Sequence, residues 1–230
     1  MNTIFQNSTT IGLVISLISY MIGLKLKKTL KWSFLNPLLI SIILTILFVL
    51  VFRVDYDSFN ASARYLSYLL TPATVSLAIP LYLEIDRLKK NWKAIIISIF
   101  AGTVTSLAVI IVMGLIFRFS HSEIVTFLPK SITTAIGMSV SEELGGIVSI
   151  TVAAIIVTGI FGAVIADTVF KLFHITDPVA QGLAIGTSAH AIGTSRAMEI
   201  GPVQGAMSSL AIVTAGIITV ILAPLLASLF

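Results

Sequence analysis

Apolar residues fall in blocks of about 20 from residue 11 to the C-terminus, and no block alternates with the two-residue period of a strand. Blocks of that length match helices crossing a hydrocarbon layer roughly 30 Å thick. The pattern predicts a first helix from Thr9 to Leu24, ending in a basic loop with Lys25, Lys27, Lys28 and Lys31. A second helix, Leu35 to Phe52, starts at the Asn36-Pro37 pair, where proline suits the first helical turn. The loop after it, Arg53 to Asn60, carries Asp55 and Asp57. A third segment, Tyr65 to Leu83, holds Pro72 and Pro80 and leads into a charged connection, Glu84 to Lys93. The fourth helix is predicted over Ala94 to Phe117, emerging near Arg118 and His121. Beyond it lie a polar-studded segment, Ile124 to Val140, the acidic pair Glu142 and Glu143, and an apolar helix from Gly145 to Phe173. A turn over His174 to Pro178, a second polar-studded segment, Val179 to Ile200, and a last helix, Val203 to Phe230, complete the chain.

Three interrupted segments share a pattern. Thr74 to Leu81 reads TVSLAIPL, Ser131 to Met138 reads SITTAIGM and Thr187 to Thr194 reads TSAHAIGT, at spacings of 57 and 56 residues. Each has hydroxyls followed by Ala-Ile-Pro or Ala-Ile-Gly, and each precedes one uninterrupted apolar helix, the mark of an internal repeat. If all three interrupted segments cross the membrane, there are eight crossings; if the second and third are re-entrant, there are six, with hairpins dipping in from opposite faces. About 18 residues separate Glu123 from Glu142 and Asp177 from Arg196, roughly 27 Å as helix, just enough to span, which tips the reading towards eight.

Composition narrows the class. The chain is 57% hydrophobic and 10% charged, with mean hydropathy +1.08, which a water-soluble domain rarely reaches. The expected fold is an all-α, polytopic helical membrane protein of six to eight segments with internal repeats and discontinuous or re-entrant helices, as one domain over 1–230. There is no cysteine, so thiol chemistry and Cys-based metal sites are excluded. The net charge of +4 sits mostly in two short basic clusters, an orientation signal rather than a nucleic-acid surface. Both clusters are expected in the cytoplasm of a cell membrane and the N-terminus outside. Met1 to Leu24 opens with no basic residue and lacks a small-residue cleavage pattern, so a retained helix is expected there.

Polar groups at membrane depth usually face a cavity or another helix, which makes Gly186 to Gly201, GTSAHAIGTSRAMEIG, the first candidate site. Broken helices bring unpaired N–H groups near the midplane, where the helix dipole favours an anion. A carboxylate is the simplest such ligand. Ser131, Thr133 and Thr134 in the second copy, and Thr187, Ser188, Thr194 and Ser195 in the third, would supply neutral hydrogen bonds, with Thr74 and Ser76 doing so in the first. Such hydroxyls equally serve close helix packing, bonded to their own backbone. Lys130 either snorkels to the headgroups or neutralises a carboxylate. His190 lies deeper, suited to substrate contact or proton coupling. Arg196 either offers a bidentate fork or caps the segment at the surface, and Glu199, three residues on, shares its face. Asn36 is placed to hold a helix break. Glu142 and Glu143 read as interfacial. No nucleotide-binding loop and no HExxH occur, and His121, His174 and His190 are too dispersed for a metal site; neither an enzyme nor a cofactor is expected.

LNPLL at Leu35 to Leu39, LTPATVSLAIPLY at Leu70 to Tyr82, LPKSITTAIGMSV at Leu128 to Val140 and SAHAIGTSRAMEIG at Ser188 to Gly201 resemble the LrgB/CidB family, and GAMSSLA and GIITVILAP within Gly205 to Pro224 extend the likeness. The resemblance implies two histories. Bacterial members are described as antiholin-like proteins that, with a small LrgA-like membrane partner, regulate murein hydrolase export and cell lysis. A fused plastid relative is a glycolate/glycerate translocator, and some bacterial pairs are linked to pyruvate uptake. With the residue reading, this leads to the expectation of a carrier for small 2-oxo or 2-hydroxy monocarboxylates, working with an LrgA-like partner and as a homo-oligomer, its site between the second and third copies. A regulator of holin-like pores that transports nothing is the alternative, and a hydrolytic intramembrane enzyme a distant third.

Overall fold

The computed structural model describes residue 8, residues 10–30 and residues 36–230, except for the side chains of Leu70 and Thr74. Every regular element among them is an α-helix. The chain packs as two units, Met1–Ser76 and Leu77–Phe230. The first holds α1 (Ile11–Leu30), α2 (Pro37–Val51) and α3 (Tyr56–Ser76). Asn36 caps α2, its side-chain oxygen accepting from the backbone N–H of Leu38 at 2.8 Å and of Leu39 at 3.4 Å. Gly12 exposes backbone on α1, so that its N–H donates to Ser62 Oγ of α3 at 3.1 Å.

Two expectations in this unit need correction. The first helix runs on to Leu30, so Lys25, Lys27 and Lys28 ride on its final turns, where cations suit the dipole; Lys31 lies outside the described residues. The Arg53 to Asn60 loop shrinks to Arg53–Asp55, because Asp55 caps α3 by accepting from the N–H and the hydroxyl of Ser58, both at 3.0 Å.

The second unit holds α4 (Ala78–Leu83), α5 (Ile85–Phe117), α6 (His121–Phe127), α7 (Thr134–Glu143), α8 (Val148–Leu172), α9 (Pro178–Ile200) and α10 (Pro202–Ala227). The charged connection Glu84 to Lys93 is helical from Ile85 rather than a loop, kinked at Asn91 (φ −115°, ψ 15°), whose side chain donates to the Arg87 carbonyl at 3.3 Å. The three repeat copies are interrupted near equivalent places. The helix has a turn at Leu77, whose own angles stay helical (φ −64°, ψ −18°), an extended residue at Thr133 just before α7, and a sharp reversal at His190 (φ 42°, ψ −140°).

Neither polar-studded segment crosses from one side to the other. Ser122 Oγ of α6 donates to the Gly145 carbonyl at 3.0 Å, and the Ile147 N–H donates to Thr126 Oγ1 at 2.8 Å, so the segment finishes beside where it began. Thr151 Oγ1, within α8, donates to the Thr126 carbonyl at 2.8 Å and accepts from Ser141 Oγ at 2.6 Å, tying both limbs of this hairpin to α8. The same holds for α9. Gln204 at the start of α10 bonds back to Gln181 at the start of α9 at 2.9 Å, and Gly182 and Gly186 are bare because a Cβ there would lie 2.5 Å from the carbonyls of Gln204 and Ser208. After His190 the chain returns, so that Gly193 packs on Ile185 and Ala189 of the outgoing limb.

Within this unit the two polar-studded segments are therefore hairpins rather than the through-crossings that the eight-crossing arrangement requires, and among the described residues of the unit α5, α8 and α10 are long and apolar enough to span. A stretch of 18 residues is long enough to span as a rod, but a break halfway leaves limbs of roughly 15–18 Å, which turn back. The α6–α7 hairpin opens at the end of the unit where α5 finishes, here the far side, and the α9 hairpin at the end where α5 starts, the near side. Between them α5, α8 and α10 cross in alternating directions. Ile95 and Ile99 of α5, Leu183 of α9 and Ala206, Met207, Ala211 and Ala215 of α10 form a buried core, its small residues letting helices approach closely.

Candidate functional site

A cavity of about 830 Å³ lies between α5, α8, the outgoing limb of α9 and the tip of the α6–α7 hairpin. On α5 it is lined by Ser98, Gly102, Thr105, Ser106 and Val109, whose spacing marks one helix face. On α8 its wall runs from Val157 and Thr158 through Phe161, Gly162, Ile165 and Ala166 to Val169 and Phe170, about four turns or 20 Å. The two walls differ in kind. The α5 and α9 side presents hydroxyls, including Thr187 and Ser188, whereas the α8 side is apolar but for Thr158.

Lys130 reaches the cavity from the hairpin tip. The break after α6 is what puts it there: the Lys130 N–H bonds to the Phe127 carbonyl at 3.1 Å and the Ile132 N–H to the Pro129 carbonyl at 3.3 Å, two tight turns that bury Leu128 and Ile132 while Lys130 and Ser131 face the cavity. The Lys130 ammonium donates to Ser131 Oγ at 3.2 Å, and Ser131 Oγ lies 2.9 Å from Ser106 Oγ of α5. Lys130 is the one charged residue among the described cavity-lining residues, and no described carboxylate lies within 4.0 Å of it. A cation so placed lacks the counter-charge that burial ordinarily demands.

The two hairpin tips meet on one face of α5. Ser131 and Thr187 occupy equivalent positions in the second and third repeat copies, 56 residues apart. Ser131 bonds to Ser106, while Thr187 packs on Gly102, one turn away, where a Cβ would come within 3.2 Å of Thr187 Oγ1. A void of about 10 Å³, lined by Thr103, Ser106, Ser131, Thr187 and Thr219 among others, separates them, room for one water at most.

Of the residues singled out from the sequence, the structure brings Lys130, Ser131, Thr187 and Ser188 to the cavity. Thr187 and Ser188 donate to backbone carbonyls of their own limb, Leu183 at 2.8 Å and Ala184 at 2.6 Å, so they offer lone pairs to a ligand and retain packing roles as well. His190 is 2% exposed; its ring fills the space beside Gly159, and Nε2–H donates to the Ile155 carbonyl at 2.9 Å, which fixes the proton on that nitrogen. It sits at the turn of the hairpin rather than on the cavity wall. Thr194 donates to the His190 carbonyl at 2.9 Å and accepts from Ser208 at 2.7 Å. Ser195 faces outward. Arg196 pairs with Glu199 at 2.6 Å and with Asp167 of α8, so both arms of its fork are engaged, and it pins the returning limb to α8. Thr133 and Thr134 begin α7, half-buried and away from the cavity. Asn36 is a helix cap, Ser76 donates to the Ala73 carbonyl at 2.6 Å, and the side chain of Thr74 lies outside the described residues.

Three features escaped the sequence reading. The stripe on α5 and the facing stripe on α8 were hidden inside segments read as plain apolar helices, although their 3–4 residue spacing was the available signal. Asp167, an acid within an apolar helix, carried a signal of its own. Ser98, Thr105 and Thr158 on the cavity wall make no hydrogen bond among the described residues.

The sequence profile of the LrgB-like family matches residues 16–229. Proteins named antiholin-like protein LrgB from Bacillus mycoides (strain KBAB4), Bacillus cereus (strain B4264) and Bacillus anthracis (strain CDC 684 / NRRL 3495) are each 36% identical over 215 residues, covering 93% of this chain and 94% of the relative. No solved structure matches.

Proposed function

We propose that this chain, which belongs to the LrgB-like family, is a carrier for small 2-oxo or 2-hydroxy monocarboxylates in the cell membrane, acting with an LrgA-like membrane partner. The observation that supports this reading is the ammonium of Lys130, with no described carboxylate within 4.0 Å, on the wall of a partly hydroxyl-lined cavity where two oppositely directed hairpins meet. A single carboxylate supplies the missing counter-charge; at about 4 Å and an effective dielectric near 20 the attraction is on the order of 4 kcal/mol before desolvation is subtracted. Repeats of inverted direction around a midplane site are a recurring basis for alternating access. Rocking of the hairpins against α5 would expose the cavity to each side in turn.

The basic residues agree with a cytoplasmic near side. Lys89, Lys90 and Lys93 begin α5 and Lys171 ends α8, all at that end, while Glu123, Glu142 and Glu143 gather at the opposite one. Uptake of labelled pyruvate, glycolate and glycerate into proteoliposomes, with and without the partner, is the test: uptake lost in Lys130→Gln supports the carrier, and no uptake under either condition overturns it. The relatives' names favour a second reading, an antiholin-like regulator of murein hydrolase export and lysis. That role would tolerate Lys130→Gln but respond to changes that loosen helix packing.

A further inference from the structure

We propose that the cavity selects monocarboxylates with an apolar tail, such as 2-oxo acids longer than pyruvate, over both the shortest acids and dicarboxylates. The inference rests on the carrier reading and concerns what the rest of the cavity holds once Lys130 holds the carboxylate. A two- or three-carbon acid is about 5 Å long, one helical turn. The cavity's α8 wall is about four turns long. Along that length Val157, Phe161, Ile165 and Val169 recur every four residues as one apolar face, with Val157 and Phe161 well exposed and Ile165 and Val169 half-buried against the cavity. A small acid at Lys130 would leave most of this wall bare, whereas a tail running along it removes apolar surface from water.

Charge limits the choice. No second cation lines the cavity among the described residues, so the far carboxylate of a diacid would be buried unpaired beside valine and phenylalanine. Of the hydroxyls opposite, Thr105 has a free proton to donate to a 2-oxo group, while Ser188, whose proton goes to the Ala184 carbonyl, can only accept from a 2-hydroxy group. A ligand with one polar edge, one apolar edge and one charged end matches all three surfaces.

The test is competition against labelled pyruvate uptake by the full-length chain with its partner in proteoliposomes, using 2-oxobutanoate, 2-oxopentanoate, 4-methyl-2-oxopentanoate and 2-oxoglutarate. Each added methylene is expected to tighten inhibition about fourfold. The diacid 2-oxoglutarate, matched in backbone length to 2-oxopentanoate, is expected to compete at least tenfold less well. Ile165→Ser should flatten the chain-length series, read as the ratio of long to short acid, which a general loss of folded protein would not change. Pyruvate binding tightest, or 2-oxoglutarate equalling 2-oxopentanoate, overturns this inference and leaves the carrier reading standing. No pyruvate uptake at all takes down the carrier reading itself.

Discussion

The backbone at His190 gives the fold its sharpest test. With φ 42° and ψ −140°, it occupies a region that L-residues rarely adopt, at a cost on the order of 1–3 kcal/mol, and it does so where the α9 hairpin reverses. Replace it with alanine and with glycine. Both variants lose the buried ring and the bond from Nε2–H to the Ile155 carbonyl, so that common loss cancels when the two are compared. What remains is backbone. In a straight spanning helix alanine is favoured over glycine by about 1 kcal/mol. At this turn the sign reverses: alanine keeps the strain and glycine relieves it, so His190→Gly should be the more stable by about 1–2 kcal/mol. For a chain of this size that is roughly 2–8 °C in Tm, within reach of a thermal-shift assay in detergent. His190→Ala melting at or above His190→Gly would refute the turn, and with it the re-entrant reading of α9.

Other expectations follow from packing and hydrogen bonds. Gly159→Ala places a Cβ 2.7 Å from His190 Cε1 and 3.0 Å from Ile192 Cβ, and should cost about 1–3 kcal/mol in chemical or thermal denaturation. Gly145→Ala, with open space around it but φ at 81°, should cost only about 1 kcal/mol. Thr151→Val breaks the link from α8 to the Thr126 carbonyl and to Ser141, leaving buried groups unpaired; a loss of about 1–3 kcal/mol is expected, and the Ser141→Ala, Thr151→Val pair should be less than additive. Asp167→Asn and Arg196→Gln should show a coupling of about 1 kcal/mol in a double-mutant cycle, because the pair is only partly buried.

Much of this architecture was legible in the residues, and its gaps have physical causes. The helical membrane class followed from block length alone. The repeat was visible as text, and the helix is interrupted near the same place in each copy, at Leu77, Thr133 and His190, although only the last two leave helical angles. Direction was not legible: a segment of 18 residues suits a rod and a hairpin equally, and what decides is the bond from Ser122 to Gly145, between residues 23 apart. The candidate site was half legible. Lys130 and Ser131 lie on the cavity because the break turns them there. His190, chosen for the same reasons of depth and chemistry, instead builds the turn, a role set by its dihedral angles and by the bare surface of Gly159. The pairing of Arg196 with Glu199 was readable from their three-residue spacing, whereas Asp167, distant in sequence, occupies the other arm of the fork.

Whether Lys130 draws anions into the cavity can be measured directly, because the chain carries no cysteine of its own. With Ser188→Cys as the single thiol, exposed on the cavity wall, the ratio of labelling rates by an anionic and a cationic thiosulfonate reports the local charge and cancels the reactivity of the thiol. The ratio should fall severalfold in Lys130→Gln, on the order of 1 kcal/mol for removal of a unit charge from the same cavity, and a saturating monocarboxylate should slow both reagents. A ratio that ignores Lys130, with labelling that no carboxylate slows, would contradict an anion-binding cavity at the meeting of the two hairpins.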